Sequence, residues 1–395
     1  MEYKGIVKIK KGREQNLLRK HPWIFSGAIY DKPTNLEDGD LVQLADYTGN
    51  IIGFGHFHNG SIAIKILGFG KVNYESSFWL TKLSAAFELR KVLMARIIDT
   101  NCFRWVHGEG DGLPGLIIDV YADTLVIQCH SIGMHRQIME IAEACAICFD
   151  NQNINIIDKS KDCLPAAYGR AFENRLISGN SNPVIVKENG LFFEIDPIHG
   201  QKTGFFLDQR ENRKLLGEYA KGRKILNAFC YTGGFSIYAA SNDALEISSI
   251  DISQKAIDGC LRNFELNAPN RQLHTEICED VYDYLKRIPS DHFDMIVLDP
   301  PAFAKTLDKR HHAVQAYKRL NHLAMKKIQS GGILFTFSCS QVVGEDLFYN
   351  TIVSAGIESG RNIRVVHKLT QAPDHPVNLF HPEGNYLKGL VLFVE

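Results

Sequence analysis

Apolar and polar positions follow one pattern beyond residue 200 and another before it. Beyond residue 200, short apolar runs rich in β-branched and aromatic residues alternate with longer segments of helical spacing. This alternation predicts a doubly wound α/β sheet of seven strands, the last antiparallel to the others. The predicted strands are 224–228, 246–250, 273–277, 293–298, 333–337, 363–369 and 389–394. The predicted helices are 235–241, 253–267, 281–287, 313–330 and 345–355.

The first 200 residues have shorter apolar runs, and these predict two smaller domains. Short strands at 5–9, 40–44, 51–57 and 61–67, separated by Gly, Asp and Asn turns, indicate a small β-barrel or sandwich. Mixed helix and strand patterns follow. They predict helices at 76–99 and 134–149, and strands at 116–120, 125–130, 154–158 and 191–195. We therefore expect three domains, covering residues 1–72, 73–190 and 191–395.

Composition narrows the class of protein without identifying its function. The 395 residues are 45% hydrophobic and 23% charged, with a formal net charge of −1, so only a local basic patch would indicate nucleic acid. Residues 1–20 form such a patch, with an excess of five positive charges, although a solvated amino-terminal face without RNA contact is the alternative interpretation. The apolar runs are too short for a membrane span, and the charged start lacks the apolar core of a signal peptide. We expect a cytoplasmic protein that does not contact membranes.

Cysteine and histidine spacing predicts no metal site. The nine cysteines are scattered through apolar segments, which favours buried reduced thiols over a disulfide framework. Cys145 and Cys148 form a Cys-x-x-Cys pair without a second pair at zinc-site spacing, so we interpret them as one face of a helix core. His311 and His312 are interpreted as the exposed start of a helix.

Two strand ends carry the candidate chemistry. One apolar run ends at Asp299-Pro300-Pro301 and another at Ser338-Cys339-Ser340. If the two strands are neighbours, an acid and a thiol face one pocket. That pairing suits methylation of a pyrimidine ring carbon, with Cys339 as the nucleophile.

The first strand of the same sheet runs into a glycine-bearing turn that predicts a nucleoside cofactor. Gly233 and Gly234 allow close backbone approach, and Asp251 at the end of the next strand can accept both ribose hydroxyls. These features suit NAD and S-adenosylmethionine equally. The missing third glycine of the dinucleotide motif, together with Asp280 and Asp299 at the ends of later strands, favours S-adenosylmethionine. The predicted cofactor-binding residues are Phe229, Tyr231, Gly233, Gly234, Asp251, Ile252, Asp280, Asp299 and Gln209.

Several motifs together resemble one enzyme family. Tyr231-Thr-Gly-Gly-Phe-Ser236, Asp299-Pro-Pro301, Phe337-Ser-Cys-Ser340 and Lys202-Thr-Gly-Phe-Phe-Leu-Asp-Gln-Arg210 look like the class I S-adenosylmethionine-dependent ribosomal RNA large subunit methyltransferase I family. The segments from His21 to Ile29 and from Val106 to Gly115 resemble that family's amino-terminal PUA RNA-binding module and its middle α/β domain.

The resemblance implies a Rossmann-like methyltransferase domain preceded by a small β-barrel PUA-like domain and a middle α/β domain. It also implies an enzyme, often a homodimer, that forms 5-methylcytosine in 23S ribosomal RNA. In that reaction Cys339 adds to carbon 6 and Asp299 hydrogen-bonds nitrogen 3 of the base. The sequence does not identify the base that removes the proton from carbon 5.

Two alternatives and a set of RNA contacts complete the sequence-based hypotheses. An Asp-Pro-Pro loop also suits an amine methyltransferase, although Ala302 precedes the aromatic Phe303 here. A methyltransferase-like RNA-binding protein without turnover is the second alternative. The predicted RNA-binding residues are Arg19, Lys20, His21, Trp23 and Arg210. For Trp23, a place in the core of the small barrel is an equally good interpretation. Gln209, Arg210 and Arg213 lie just before the first strand of the large sheet and are expected to close over the cofactor or RNA, with surface ion pairs as the alternative.

Overall fold

A computed structural model describes residues 2–71, 74–149, 154–267 and 273–395, and in it the chain divides into two compact units. Unit 1 comprises Met1–Val186, Ile195–Leu207 and Pro373–Gly384. Unit 2 comprises Lys187–Glu194, Asp208–Ala372 and Asn385–Glu395. In the described part of the chain, no helix combines the length and the apolar character needed to cross a membrane.

The first sheet of unit 1 has six strands in the order β2-β6-β5-β4-β1-β3. They are β1 (Ile6–Ile9), β2 (Trp23–Phe25), β3 (Ile29–Asp31), β4 (Leu41–Ala45), β5 (Ile51–Phe57) and β6 (Ile62–Phe69). The short helix α1 (Gln15–Leu18) precedes β2. The four strands predicted here are confirmed within one or two residues. The three-residue strands β2 and β3 were not predicted, because three residues are too few to show the apolar and polar alternation of a strand.

The second sheet of unit 1 has five strands in the order β11-β10-β9-β8-β7. They are β7 (Cys102–His107), β8 (Leu116–Tyr121), β9 (Thr124–Cys129), β10 (Asn155–Asp158) and β11 (Arg175–Ser178). Its helices are α2 (Phe78–Met94), α3 (Ile132–Arg136), α4 (Ile138–Phe149) and α5 (Ala166–Gly169). Cys145 lies fully buried on α4, as predicted for a helix core face.

One hydrophobic core joins the two sheets of unit 1. Phe54 and Leu67 of the first sheet pack in the same buried cluster as Trp79 of α2 and Trp105 of β7. The predicted division of this region into separate domains stays a prediction. Its boundary at residues 72 and 73 lies outside the described residues.

A two-stranded hairpin, β12 (Val184–Glu188) and β13 (Leu191–Ile195), leads to the sheet of unit 2. The strands of that sheet are β14 (Lys224–Ala228), β15 (Glu246–Asp251), β16 (His274–Cys278), β17 (Met295–Leu298), β18 (Gly332–Ser338), β19 (Ile363–Leu369) and β20 (Lys388–Val394). The helices of unit 2 are α6 (Arg210–Ala220), α7 (Gly234–Ala240), α8 (Gln254–Asn267), α9 (Val281–Arg287), α10 (Arg310–Lys327) and α11 (Glu345–Ser359).

The seven strands run in the order β16-β15-β14-β17-β18-β20-β19, and the first five are parallel. Strand β20 is antiparallel to both of its neighbours, which confirms the predicted α/β architecture. Parallel strands covered by helices bury both faces, and this explains their nearly continuous apolar sequences. A cluster that includes Leu226, Leu298 and Leu334 of the sheet packs against Tyr317 of α10.

Candidate active site

The predicted site residues of unit 2 lie at the carboxyl ends of its parallel strands. The register pairs Ala228 of β14 with Leu298 of β17, and Leu298 with Thr336 of β18. Phe229 and Asp299 therefore leave the sheet side by side, and Cys339 follows three residues after Thr336. In open α/β sheets this edge is where ligands bind.

The turn after β14 has an unusual backbone. Phe229 and Tyr231 adopt positive φ values of 61° and 48°, and Gly233 follows with a φ of 80° at the start of α7. Left-handed conformations cost energy for residues other than glycine, and they concentrate at functional sites. Such a turn is consistent with the predicted cofactor-binding loop.

Both glycines of the turn are needed for close packing behind it. A Cβ at Gly233 would collide with the Sγ of Cys260 on α8, and a Cβ at Gly234 would lie 2.9 Å from the Cδ of Arg213. Arg213 is itself fixed by two hydrogen bonds to the buried carboxylate of Glu188, Nε to Oε1 at 2.8 Å and Nη2 to Oε2 at 2.7 Å. The surface ion pair considered for Arg213 is wrong, because the pair is buried and supports the turn, while closure of Arg213 over the cofactor or RNA stays a prediction.

Asp251 connects the ends of β14 and β15. Its Oδ2 accepts a hydrogen bond from the backbone N–H of Tyr231 at 3.0 Å, and its Oδ1 accepts one from Ser253 at 2.9 Å. Each carboxylate oxygen has a second lone pair that can accept a ribose hydroxyl. Ile252, which is 73% exposed, presents an apolar surface beside the acid. These residues fit the adenosine part of S-adenosylmethionine.

Asp280 follows β16 and begins α9. Its Oδ1 accepts hydrogen bonds from the backbone N–H groups of Tyr282 and Asp283, at 2.9 and 3.0 Å. This N-cap fixes an exposed carboxylate beyond the strand end, with its Oδ2 outside both of these bonds.

Asp299 is the most strongly perturbed carboxyl of the site. Burial raises its pKa to about 7 and the nearby Asp208 acts in the same direction, while a hydrogen bond with Gln209 and the charge of Arg213 oppose this rise. Gln209 is 3% exposed and also accepts a hydrogen bond from Asn212 at 2.6 Å. It therefore positions Asp299, and its assignment to the cofactor stays a prediction. A carboxyl with this pKa is partly protonated at neutral pH and can donate a hydrogen bond.

Cys339 lies beside a buried lysine that the sequence did not single out. Ser338 is paired with Lys388 across β18 and β20, and Lys388 is only 6% exposed. Its Nζ donates hydrogen bonds to the backbone oxygens of Ser340 and Tyr386, both at 2.7 Å. Burial lowers the pKa of Lys388 to about 8, while Cys339 and Glu345 act in the opposite direction. A positive charge therefore stands next to the partly buried thiol.

Tyr317 packs beside the loop after β17. It is fully buried on α10, with its ring centroid 4.7 Å from that of Phe303. Burial raises the pKa of its phenol, and charges on Cys339 and Asp299 act in the same direction. The Ser340 hydroxyl donates to the backbone oxygen of Ala304 at 2.7 Å and ties the loop after β17 to the loop after β18.

Three residues of this neighbourhood were missed by sequence reasoning. They are Lys388, Tyr317 and Asp208, whose Oδ2 accepts a 2.6 Å hydrogen bond from Tyr386. Lys388 offered a signal, since it is a lone charge at the start of an otherwise apolar strand. Asp208 lies inside the Lys202–Arg210 motif but was given no role of its own, and Tyr317 gave no signal, because a polar residue on a helix is common.

The predicted RNA-binding residues lie in different settings. Arg19 and Lys20 are exposed in unit 1, and the Nζ of Lys20 lies 5.7 Å from the ring centre of Phe380. His21 and Trp23 are partly buried, and the Nε1 of Trp23 donates to Glu109 at 2.9 Å. In unit 2, Arg210 is 0% exposed and pairs with Glu211, which argues against a direct RNA contact in this conformation.

Two family models match the chain. Residues 171–389 match the S-adenosylmethionine-dependent methyltransferase family, and residues 7–69 match a PUA-like domain. The first match covers more than half of the chain and includes the entire candidate site of unit 2. It supports S-adenosylmethionine as the methyl donor, in agreement with the geometry of Asp251 and the glycine turn.

Similar proteins extend over nearly the whole length. The chain is 38% identical over 393 residues to "Ribosomal RNA large subunit methyltransferase I" of Aeromonas hydrophila, covering 98% of each protein. It is 35% identical to the protein of the same name from Shewanella amazonensis, again over 98% of each. The fold is similar to a putative SAM-dependent methyltransferase from Streptococcus mutans, with a TM-score of 0.84 at 22% identity over 98% of this chain and 100% of that one. A second solved structure, titled as SMU.776 complexed with SAH, gives the same TM-score and identity over the full length of both chains.

Proposed function

The chain belongs to the ribosomal RNA large subunit methyltransferase I family, and from this premise we propose that it transfers a methyl group from S-adenosylmethionine to carbon 5 of a cytosine in 23S ribosomal RNA. One observation carries the choice of carbon 5. A thiol and a carboxyl of raised pKa leave adjacent strands of one sheet, at Cys339 and Asp299.

Carbon 5 of cytosine needs a covalent partner before it can be methylated. The Cys339 thiolate adds to carbon 6, which breaks the ring double bond and makes carbon 5 an enamine nucleophile. S-adenosylmethionine supplies the electrophilic methyl group. A base then takes the proton from carbon 5, the electron pair re-forms the 5,6 double bond, and the thiolate leaves carbon 6.

Asp299 supports the addition step through its proton. Nitrogen 3 of neutral cytosine is a hydrogen-bond acceptor and gains negative charge as the thiolate adds. A carboxyl with a pKa of about 7 can donate to nitrogen 3 and stabilise that charge, whereas an ionised carboxylate would repel it. The burial that raises this pKa is therefore part of the proposed mechanism.

Lys388 favours the thiolate of Cys339. A neighbouring cation stabilises the ionised form of a thiol, which is the reactive nucleophile. The two backbone carbonyls that hold the Lys388 ammonium keep it at the strand end, where it acts on Cys339 without touching the substrate.

Binding of the RNA substrate involves unit 1 in this proposal. Arg19 and Lys20 contact phosphates, and His21 and Trp23 contribute ring surface next to them. The PUA-like match over residues 7–69 supports an RNA-binding role for this part of the chain. The target cytosine has to leave any stacked helix to reach Cys339. A division into domains at 1–72, 73–190 and 191–395, and a homodimeric state, are part of the same proposal.

The test is transfer of labelled methyl from S-adenosylmethionine to ribosomal RNA from cells that lack this gene, followed by nucleoside mass spectrometry. We expect label in 5-methylcytosine with the wild type and none with Cys339→Ala. The exposed Cys278 provides the matched control, and Cys278→Ala should keep full activity.

Two other outcomes would contradict the proposal. Label in a methylated exocyclic amine that persists in Cys339→Ala would establish an amine methyltransferase. Binding of S-adenosylmethionine and RNA without transfer would establish an RNA-binding protein that lacks turnover. RNA containing 5-fluorocytosine gives an independent check, because fluorine at carbon 5 blocks proton removal and should trap the Cys339 adduct.

A further inference from the structure

Three potential metal ligands converge in unit 1. One donor atom from each of His21, His381 and Glu383 lies within 4.8 Å of the other two. The Nε2 of His21 is 3.9 Å from Glu383 Oε2, and the Nε2 of His381 is 3.8 Å from the same oxygen. These separations are too long for direct hydrogen bonds.

His381 is buried without satisfying its ring nitrogens. The residue is 4% exposed, and neither Nδ1 nor Nε2 has a hydrogen-bond partner in the part of the chain that the structure describes. A neutral imidazole has one ring nitrogen with a free lone pair, and such a nitrogen can bind a metal ion. A buried imidazole without partners is costly, so a ligand at this place would relieve a real penalty.

His21 has a second contact of the kind that metal-binding histidines use. The backbone N–H of Trp23 donates to its Nδ1 at 3.2 Å, and the backbone oxygen of Trp23 lies 3.4 Å from the same nitrogen. Metal binding through Nε2 uses the tautomer with the proton on Nδ1, in which the ring donates to that backbone oxygen instead of accepting from the N–H. A backbone acceptor on the far nitrogen fixes the tautomer and orientation of a ligating histidine.

The surroundings hold the two rings in place. The Trp23 indole packs against His381 with ring centroids 4.4 Å apart, and the His21 and His381 centroids are 5.3 Å apart. The indole is in turn fixed by its hydrogen bond to Glu109, and Asn378 donates to the backbone oxygen of Glu109 at 3.2 Å. Preformed ligand geometry lowers the cost of binding an ion.

We propose that His21, His381 and Glu383 form a binding site for a divalent transition metal ion, with zinc as the best match. Two imidazoles and one carboxylate are a recurrent zinc ligand set. Tetrahedral zinc with bonds of about 2.0–2.1 Å places its ligands roughly 3.3 Å apart. Each histidine nitrogen therefore needs to move about half an ångström closer to Glu383 Oε2, and the two histidine donors, within 4.8 Å of each other, need to close by at most about 1.5 Å. Glu383, whose side chain is 56% exposed, stands at the open side, where water completes the coordination.

The site would fasten the segment Pro373–Gly384 within unit 1. Its beginning is already held by Asp374, which is fully buried and accepts a 2.9 Å hydrogen bond from the backbone of Arg104. The metal would fix the other end to the start of β2. This arrangement could not be predicted from local sequence, since His21 and His381 are 360 positions apart.

The experiment uses tag-free, full-length protein, because a histidine tag would bind the same ions. Zinc content is measured after gel filtration, and cobalt(II) is then titrated into protein treated with a chelator. We expect about one ion per chain, cobalt d–d absorption of a nitrogen and oxygen site, and a lower melting temperature after chelation. Methyl transfer is not the readout, so failure here leaves the proposed function untouched.

Variants separate this site from others in the chain. His381→Ala should lose the ion, and the conservative Glu383→Gln, at an exposed position, should weaken cobalt binding about tenfold or more if one charged ligand is lost. His199→Ala is the matched control, an exposed histidine of unit 1 outside the cluster, and should bind as the wild type does. The site is supported if chelator lowers the melting temperature of the wild type and of His199→Ala, but not that of His381→Ala or Glu383→Gln.

Three results would overturn the proposal. Absence of zinc and cobalt binding would mean that water bridges the three side chains instead. Cobalt spectra dominated by thiolate charge transfer would assign the ion to cysteines. Equal binding by the wild type and Glu383→Gln would exclude the cluster, whether or not His381→Ala folds.

Discussion

The Nζ of Lys388 donates a 2.7 Å hydrogen bond to the backbone oxygen of Ser340, one residue beyond Cys339. This bond fixes a buried ammonium at the end of β18, beside the thiol. Its burial has a cost, which is visible in the lowered pKa of about 8. A charge kept in such a place at a cost to stability is best explained by its effect on Cys339.

Lys388→Gln should reduce methyl transfer by about tenfold or more, because the Cys339 thiolate loses a neighbouring cation. The wild-type rate should decline above about pH 7 as Asp299 ionises, and decline further as the pH rises through about 8, where Lys388 loses its proton. The variant should keep the first decline and lack the second. The measurement is kcat against pH, with Lys326→Gln, an exposed lysine of α10, as the control. If kcat depends on pH in the same way in the wild type and in Lys388→Gln, the role of Lys388 is structural.

Asp299→Asn should stabilise the protein at high pH. The pKa of Asp299 rises from 3.8 to about 7 on folding, so its ionised form is disfavoured in the folded state. The resulting penalty is absent below about pH 4, grows as the pH rises, and is complete above about 7. We expect a gain of roughly 1–2 kcal/mol at pH 8, after allowing for partial exposure, and little gain at pH 4.

Melting temperatures of wild type and Asp299→Asn at several pH values measure this difference. If the two proteins differ in melting temperature by the same amount at pH 4 and pH 8, ionisation of Asp299 does not destabilise the folded protein. The same variant should lose most methyl transfer, because an amide N–H is a much weaker acid than a carboxyl O–H and its hydrogen bond stabilises the charge on nitrogen 3 less.

Gly233→Ala should weaken binding of S-adenosylhomocysteine by about tenfold. The φ of 80° strains any other residue, and the new methyl group would press on Cys260 and shift the turn. Gly344→Ala is the matched control, since its φ is −66° and nothing lies within 4 Å of the added methyl. Isothermal titration calorimetry gives both affinities. If Gly233→Ala and Gly344→Ala bind S-adenosylhomocysteine with equal affinity, the turn does not contact the cofactor.

Charge reversal at Arg19 and Lys20 should weaken RNA binding and lower its dependence on salt. Two lost phosphate contacts reduce the slope of log K against log salt by roughly 1.5. A double reversal at Lys221 and Lys326, two exposed lysines of unit 2, produces the same net charge and serves as the control. The two double variants are compared by fluorescence anisotropy with a ribosomal RNA fragment. Identical slopes would remove Arg19 and Lys20 from the contact surface.

The sequence predicted the sheet of unit 2 well because its strands are buried on both faces and read as separate apolar runs. The strand β19 and the helix α9 were predicted with their observed bounds, and Asp299 and Cys339 stood out because each ends such a run. Chemistry at a strand end needs only local sequence and the rule that parallel strand ends meet at one edge.

Features that depend on distant partners were not predictable. One helix was expected at 134–149, but α3 and α4 are separated at Gln137, whose buried amide contacts His56 Nε2 at 3.1 Å and accepts a hydrogen bond from Tyr74 at 3.1 Å. Strand β7 was missed because Arg104 interrupts its apolar pattern, and that arginine is paired with the buried Asp119. In each case a polar side chain interacts with a residue outside its own element, and a local sequence pattern does not show such a partner.

The position of β20 between β18 and β19 has a consequence for synthesis on the ribosome. Strand β19 makes its ladder with β20 alone, and β20 is translated after it. A nascent chain that has reached β19 therefore holds an edge strand with no partner, and β18 offers an open edge beside it. Both edges close in one late step, when Lys388–Val394 leaves the exit tunnel and inserts between them. Until then the nascent chain exposes two unpaired strand edges, the kind of surface that chaperones protect from aggregation.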